Sequence, residues 1–183
     1  MKRVTLNDIE NINMSFTTEA NCISEQTNNI FDLDGRDYYL KTHYFYDSKH
    51  QIQSMILKLY RCKINKEVGR ASCIFKTPND ILLADILICN HEHFDNSISK
   101  LFKINEWSEP SNYQKKQLGS YLLEYVISIA KARNVKRIHG FLTEQDISNN
   151  SNLIPWYKRY GFQLESPTDD KVRFAKHRIC LYF

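Results

Sequence analysis

The stretch Tyr113–Val126, YQKKQLGSYLLEYV, sets a polar, basic run before one glycine and an apolar helical repeat. The first turn of an α-helix leaves backbone N–H groups unpaired and carries partial positive charge from the helix dipole. Such a terminus binds anions without any special side chain. Lys115 and Lys116 add charge beside it, and Gly119 lets a ligand or a neighbouring backbone come close. The chemistry on offer is the holding of a phosphate; on these residues alone, a solvated basic first turn is equally consistent. Gln117 stands where a phosphate-binding loop would use glycine, and its Cβ is harmless only if the backbone keeps to the right-handed α region. A second cluster, His91-Glu92-His93, has two imidazoles at i, i+2 but no third convergent ligand, which describes a solvated loop better than a metal centre.

The surrounding elements follow from periodicity and turn residues. Residues 1–36 are polar and Asn-rich; Leu6, Ile9 and Ile12 recur at helical spacing, and DLDG closes the segment as a turn. The aromatic run RDYYLKTHYFYD reads as a strand. QSMILKLYRCKI (53–64) and RASCIFK (70–76) read as a hairpin joined by NKEVG (65–69). After the turn TPND, ILLADILICN (81–90) is a strand buried on both faces for much of its length. Phe94, Ile98, Leu101 and Phe102 suit a short amphipathic helix inside 91–112. A strong helix spans about 117–133, with Leu118, Leu122, Val126, Ile129 and Ala130 as its stripe, and KARNVKR supplies cations to its C-terminal end. NVKRIHGFLTE (134–144) is a strand, DISNNSN a loop, and LIPWYKRY (153–160) a helix ended by Gly161. FQLES and HRICLYF form a closing hairpin. The order predicts one mixed α/β domain over 1–183, with a mostly antiparallel sheet and a right-handed crossover joining parallel strands between 81 and 144.

The segment NSNLIPWYKRYGF places Tyr157 four residues before Gly161-Phe162, between a helix and a strand. It resembles the Y-x-x-x-G-F end of a GNAT-superfamily N-acetyltransferase. The opening stretch then resembles that family's phosphate loop, [QR]-x-x-G-x-[GA], with Gln114 first, Gln117 fourth and Gly119 last. The resemblance covers roughly 81–183 and implies a GNAT-like fold whose strand before the loop is splayed from its parallel neighbour. It implies acetyl-CoA as co-substrate and no metal. The helix start, Gln114, Lys115, Lys116, Gln117, Leu118, Gly119 and Ser120, would hold the pyrophosphate. A backbone N–H of Ile88 or Cys89 would face the thioester carbonyl, and Asn150 matches a CoA-contacting asparagine or is the N-cap of the following helix. Tyr157 would lie beside the sulfur; with a reference pKa of about 10 it suits protonation of a departing thiolate. Asp85 in ADILIC would sit where some family members place a general base, acting directly if burial raises its pKa or otherwise through water. Glu92 or a water chain is the other route for that proton. Two departures stand out: Gln117 in place of glycine, and the long segment 91–112, expected to wall the acceptor site as a lid.

The expected activity is direct transfer of an acetyl group to a primary amine, on a small molecule or a peptide. The alternative is a degenerate member of the fold that binds acyl-CoA or a partner without catalysis. Composition supports these classes by exclusion. A net charge of +4 and pI near 8.7 suit an anionic ligand but are weak for nucleic acid, leaving a charged tRNA as the one nucleic-acid acceptor still open. Five cysteines without CxxC spacing argue against a disulfide framework or a zinc ribbon, and suit reduced thiols in the cytoplasm. The N-terminus lacks the apolar core of a signal peptide, and ILLADILIC is too short to span a bilayer. Trp107 and Trp156 read as packing anchors. A homodimer through an edge strand, with HRICLYF the candidate, is a further expectation.

Overall fold

The computed structural model describes residues 13–16, 22–49, 51–89, 113–167 and 175–183. The readings for Leu6, Ile9, Ile12, the HEH cluster, Glu92, Trp107 and the amphipathic spacing in 91–112 therefore lie outside the described residues. The strands are β1 (Asn13–Phe16), β2 (Cys22–Phe31), β3 (Asp37–Tyr46), β4 (Ile52–Arg61), β5 (Lys66–Thr77), β6 (Asp80–Ile88), β7 (Arg137–Thr143), β8 (Gln163–Glu165) and β9 (Ala175–Tyr182). The helices are α1 (Leu118–Ala132), α2 (Glu144–Asn149) and α3 (Leu153–Arg159). The strands form one sheet in the order β1-β2-β3-β4-β5-β6-β7-β9-β8. All pairings are antiparallel except β6 with β7. The expected mixed sheet with one parallel pair is thus present.

One sheet face is the core. Tyr38, Leu40, Thr42 and Tyr44 on β3, and Met55, Leu57 and Leu59 on β4, alternate inward and are buried. Helix α1 covers this face with Leu118, Leu122, Leu123, Val126 and Ile129. A fully buried leucine such as Leu122 contributes roughly 1.5–3 kcal/mol. Tyr125 on α1 reaches across to hydrogen-bond the Thr27 hydroxyl of β2 at 3.3 Å.

Four expectations are corrected. The polar N-terminal region contains a ten-residue strand, β2. Its sequence, CISEQTNNIF, lacks apolar alternation; the backbone ladder to β3, from Cys22↔Phe45 to Phe31↔Asp37, holds it instead. The NKEVG connection is shorter than expected, because β5 begins at Lys66 after a single 3-10 turn, Cys62–Ile64. The DISNNSN loop is largely helix α2, started by a capping box. Asp146 N–H donates to the Thr143 hydroxyl at 3.1 Å, and Thr143 N–H donates to the Asp146 carboxylate at 2.8 Å. Finally, the C-terminal strand β9 is not the edge strand of the sheet: β7 lies on one side of it and β8 pairs with Arg178, Ile179 and Cys180 on the other.

Candidate active site

The site is built where β6 and β7 part. They pair only at Asp80↔Arg137, Ile81↔Ile138 and Leu82↔His139. A Cβ on Gly140 would lie 3.0 Å from the Leu83 carbonyl oxygen, so the two strands are still close at Leu83. Beyond that point the ladder stops. Ala84 is an extra residue on β6, because Cys73 faces Leu83 while Ser72 faces Asp85. Such a bulge adds twist and re-aims the side chains after it.

The bulge and the ladder decide which backbone groups face the gap. Cys89 N–H donates to the Val68 carbonyl at 2.8 Å, and the Cys89 carbonyl accepts from Tyr113 N–H at 3.3 Å. Cys89 is therefore committed on both sides, and its expected role at the thioester is corrected. Antiparallel pairs alternate in the direction of their hydrogen bonds. Ile88, opposite Gly69 and next to Cys89, accordingly turns its N–H away from β5, toward the gap. Of the two candidates, only Ile88 is placed to donate there.

The phosphate loop enters at Tyr113, which is 1% exposed and anchors the turn in the core. Two non-glycine residues then adopt left-handed backbone: Lys115 at φ 58° and Gln117 at φ 65°, ψ 7°. The right-handed conformation that would make Gln117 harmless is not the one present. Glycine would occupy this position without strain, whereas a side chain costs roughly 1–2 kcal/mol. Left-handed residues of this kind occur in the amide nests that hold anions. Helix α1 starts with no side-chain cap from Gln117 and no acidic residue in its first turn, which leaves its positive dipole end uncompensated by either. A Cβ on Gly119 would meet only Ile88 Cγ1, at an ordinary 3.7 Å; the close approach here is between α1 and β6.

The side chains of this loop are more engaged than expected. Lys116 Nζ lies 2.8 Å from the Asp34 carboxylate in the β2–β3 turn. That turn is rigid: the buried Asp32 carboxylate accepts from Asp34 N–H, Arg36 N–H and the Tyr38 hydroxyl, at 2.8–2.9 Å. Ser120 uses its hydroxyl to accept from the Trp156 indole at 3.0 Å, docking α3 on α1 as the packing role of Trp156 requires. Gln114 and Lys115 are exposed. Asn150 is exposed at the end of α2, and its side-chain oxygen accepts from Asn152 N–H at 3.2 Å. It opens α3 as a turn rather than serving as its N-cap, which is Asn152.

The Y-x-x-x-G-F spacing has a local cause. Gly161 N–H donates to Lys158 O at 3.0 Å and Phe162 N–H to Tyr157 O at 3.3 Å, with Gly161 at φ 86°. This is a Schellman stop, in which the glycine takes the left-handed position. Tyr157 and Phe162 make its hydrophobic contact, with ring centroids 5.3 Å apart. Tyr157 is 7% exposed, and its hydroxyl has no hydrogen-bond partner among the described residues. Burial, reinforced by the negative charges of Asp85 and Asp146, pushes its pKa well above the ordinary tyrosine value. The phenol thus remains protonated near neutral pH and is a weaker acid than a free tyrosine. Asp85 reaches solvent at the mouth of the gap, yet loss of water around its carboxyl raises its pKa; the Ile86 N–H and Arg70 pull the other way, and Asp146 adds to the rise.

Sequence reading missed two residues here. Asp34 lies far from the loop in sequence. Asp146 is electrostatically coupled to both Tyr157 and Asp85; its only signal was the T-x-x-D of the capping box.

Residues 110–162 match the family model described as Acetyltransferase (GNAT) family. Over this segment, under a third of its length, the chain is similar to GNAT-family acetyltransferases. The matched segment runs from the phosphate loop through α3 to Phe162, so both GNAT motifs lie inside it. No curated protein matches the chain. Among solved structures, it is similar to a GNAT-family protein from Desulfovibrio desulfuricans, at 16% identity over 71% of this chain and 69% of that one, with a TM-score of 0.50. A Klebsiella pneumoniae protein named as an acyl-CoA N-acyltransferase aligns at 12% identity over 71% and 72% of the two chains, also with a TM-score of 0.50. The PaiA N-acetyltransferase of Thermoplasma acidophilum aligns at 13% identity and a TM-score of 0.49, and the chain spans 65% of its length. At these identities the likeness is one of fold: the GNAT sheet with its single parallel pair.

Proposed function

We propose that the protein transfers an acetyl group from acetyl-CoA directly to a primary amine. The observations that support this reading are a largely buried Tyr157 that feels the charge of Asp85, an α1 start without a side-chain cap, and an Ile88 N–H turned away from β5. The backbone amides of Lys115–Ser120 suit a pyrophosphate, and acetyl-CoA supplies an acyl carbon already activated as a thioester. Ile88 N–H donates to the acyl oxygen as negative charge develops there. Asp85, its pKa raised toward the working range, takes the proton that the amine releases, directly or through a water. Tyr157 gives its proton to the sulfur as the carbon–sulfur bond breaks. No covalent bond to the protein is needed.

Calorimetric titration with acetyl-CoA is the first test; no binding at millimolar ligand sinks the reading. Tyr157→Phe keeps the Schellman contact and removes only the hydroxyl. It should lower kcat on the order of 100-fold or more, within the range of general-acid catalysis. Acetyl-CoA affinity should stay within about 2-fold, since removing a group that acts only in the transition state leaves ground-state binding intact. A protein that binds acetyl-CoA but never turns over with any amine would be the degenerate binder instead.

A further inference from the structure

The sheet face turned away from α1 carries an unusual row of charge. Opposite residues on neighbouring strands share a face, and the register runs Lys41↔Lys58↔Arg70↔Leu87 from β3 to β6. The next row on the same face runs His43↔Ile56↔Ser72↔Asp85, so the cations stand one row away from the candidate base. Like charges directly opposite each other destabilise a sheet. Two of the three are partly compensated: Lys41 Nζ lies 5.6 and 5.5 Å from the ring centroids of Tyr39 and Tyr60, and Arg70 bonds Glu67 at 2.7 Å. Lys58, between them, has no ion-pair partner among the described residues. The positive field is felt nearby: His43 is held below its ordinary pKa by burial and then by Lys58 and Lys41. Exposed Leu87 ends the row, and exposed Ile74 lies on the same face just beyond the Asp85 row.

Resting on the acetyl-transfer reading above, we propose that the amine acceptor is an acidic polypeptide segment laid across this face, its carboxylates on Lys41, Lys58 and Arg70 and its amine at Asp85. A polyamine would meet repulsion along the whole row. Nucleic acid fits less well. The Tyr39 ring is stacked on Tyr60 at 5.0 Å and its hydroxyl donates to Asn65, so these rings are not free platforms for bases. A row spanning three strands at about 4.8 Å spacing covers roughly 10 Å, the reach of about three residues of extended chain. Ile74 and Leu87 give such a chain apolar contacts that phosphates would not use.

The test uses the full chain, acetyl-CoA and peptides that share one amine but differ only in acidic, neutral or basic flanking residues. A polyamine and a single-stranded oligonucleotide serve as competitors. The acidic peptide should have the lowest KM and bind in fluorescence anisotropy without acetyl-CoA. Lys58→Glu should raise its KM about 5-fold or more, the scale of losing an exposed ion pair and adding a repulsion. The basic peptide should gain, and acetyl-CoA affinity should stay unchanged. Lys41→Gln, with a smaller loss in the same direction, guards against a folding artefact in the first variant. Preference for the polyamine or the basic peptide, tighter competition by the oligonucleotide, or indifference to Lys58→Glu would each overturn the assignment while acetyl-CoA still binds. Failure of acetyl-CoA to bind would instead bring down the parent reading and this one with it.

Discussion

The two ends of the β6–β7 pair are made of the same strands and do opposite things. At the closed end, Asp80 accepts from Arg137 Nε at 2.9 Å and Nη2 at 2.6 Å, and lies 2.9 Å from His139 Nδ1. The Asn79 carbonyl takes the N–H groups of both Lys136 and Arg137. Every polar group named there has a partner. At the open end, Ile88 turns its N–H away from β5, the Tyr157 hydroxyl has no hydrogen-bond partner among the described residues, and Lys115 and Gln117 hold left-handed backbone. Stability is concentrated where the strands are zipped; binding capacity is concentrated where the same strands leave groups unpaired. The bulge at Ala84 separates the two regimes.

The comparison predicts that changes at one end should not register at the other. Asp80→Ala leaves Arg137 and His139 without their shared carboxylate. It should cost about 2–3 kcal/mol in denaturant unfolding, somewhat below the range for fully buried pairs because this one is partly exposed. Acetyl-CoA affinity, measured by calorimetry on the folded variant, should not change. A large loss of affinity would mean that the ends are coupled. In the opposite direction, Gln117→Gly relieves a left-handed side chain while adding unfolded-state freedom, for a net gain of about 0.5–1 kcal/mol. If stability falls instead, the loop is not strained at Gln117.

The smallest effect is a pH dependence. Burial holds His139 below its ordinary pKa, even though Asp80 pulls it upward. The unfolded chain then binds the proton more readily than the folded one, so stability falls as pH drops through about 6.5 toward the folded value. Asp80 is also pulled upward by burial, but its bonds to Arg137 and His139 outweigh this and leave its pKa below the ordinary value. Its contribution is therefore lost only at lower pH, below about 3.9. His139→Gln should flatten the unfolding profile between pH 7 and 5 and weaken the slope at lower pH, where Asp80 keeps Arg137 but loses the contribution of His139.

What was legible in the sequence was local. A Schellman stop is written in six consecutive residues, so Tyr157, Gly161 and Phe162 could be placed without any neighbour. The helix start at Leu118 was equally plain from its apolar stripe. Strand β2 was hidden because its support is a backbone ladder, and ladders leave no mark on side-chain type. The choice between Ile88 and Cys89 needed the parity of the β5–β6 register, which the bulge at Ala84 shifts by one. The Lys116–Asp34 ion pair joins residues more than eighty positions apart, and neither one advertises the other.

The hydrogen bond from Tyr113 N–H to the Cys89 carbonyl, at 3.3 Å, has a consequence for how this protein can change. The chain leaves the sheet at Cys89 and comes back to the same atom. Those two points are pinned side by side by that one hydrogen bond. Closing a longer or shorter excursion there alters the entropy only logarithmically with length. A change of chain length between Cys89 and Tyr113 should therefore leave the register of β6 and the start of α1 in place, which hydrogen exchange on those two elements would check.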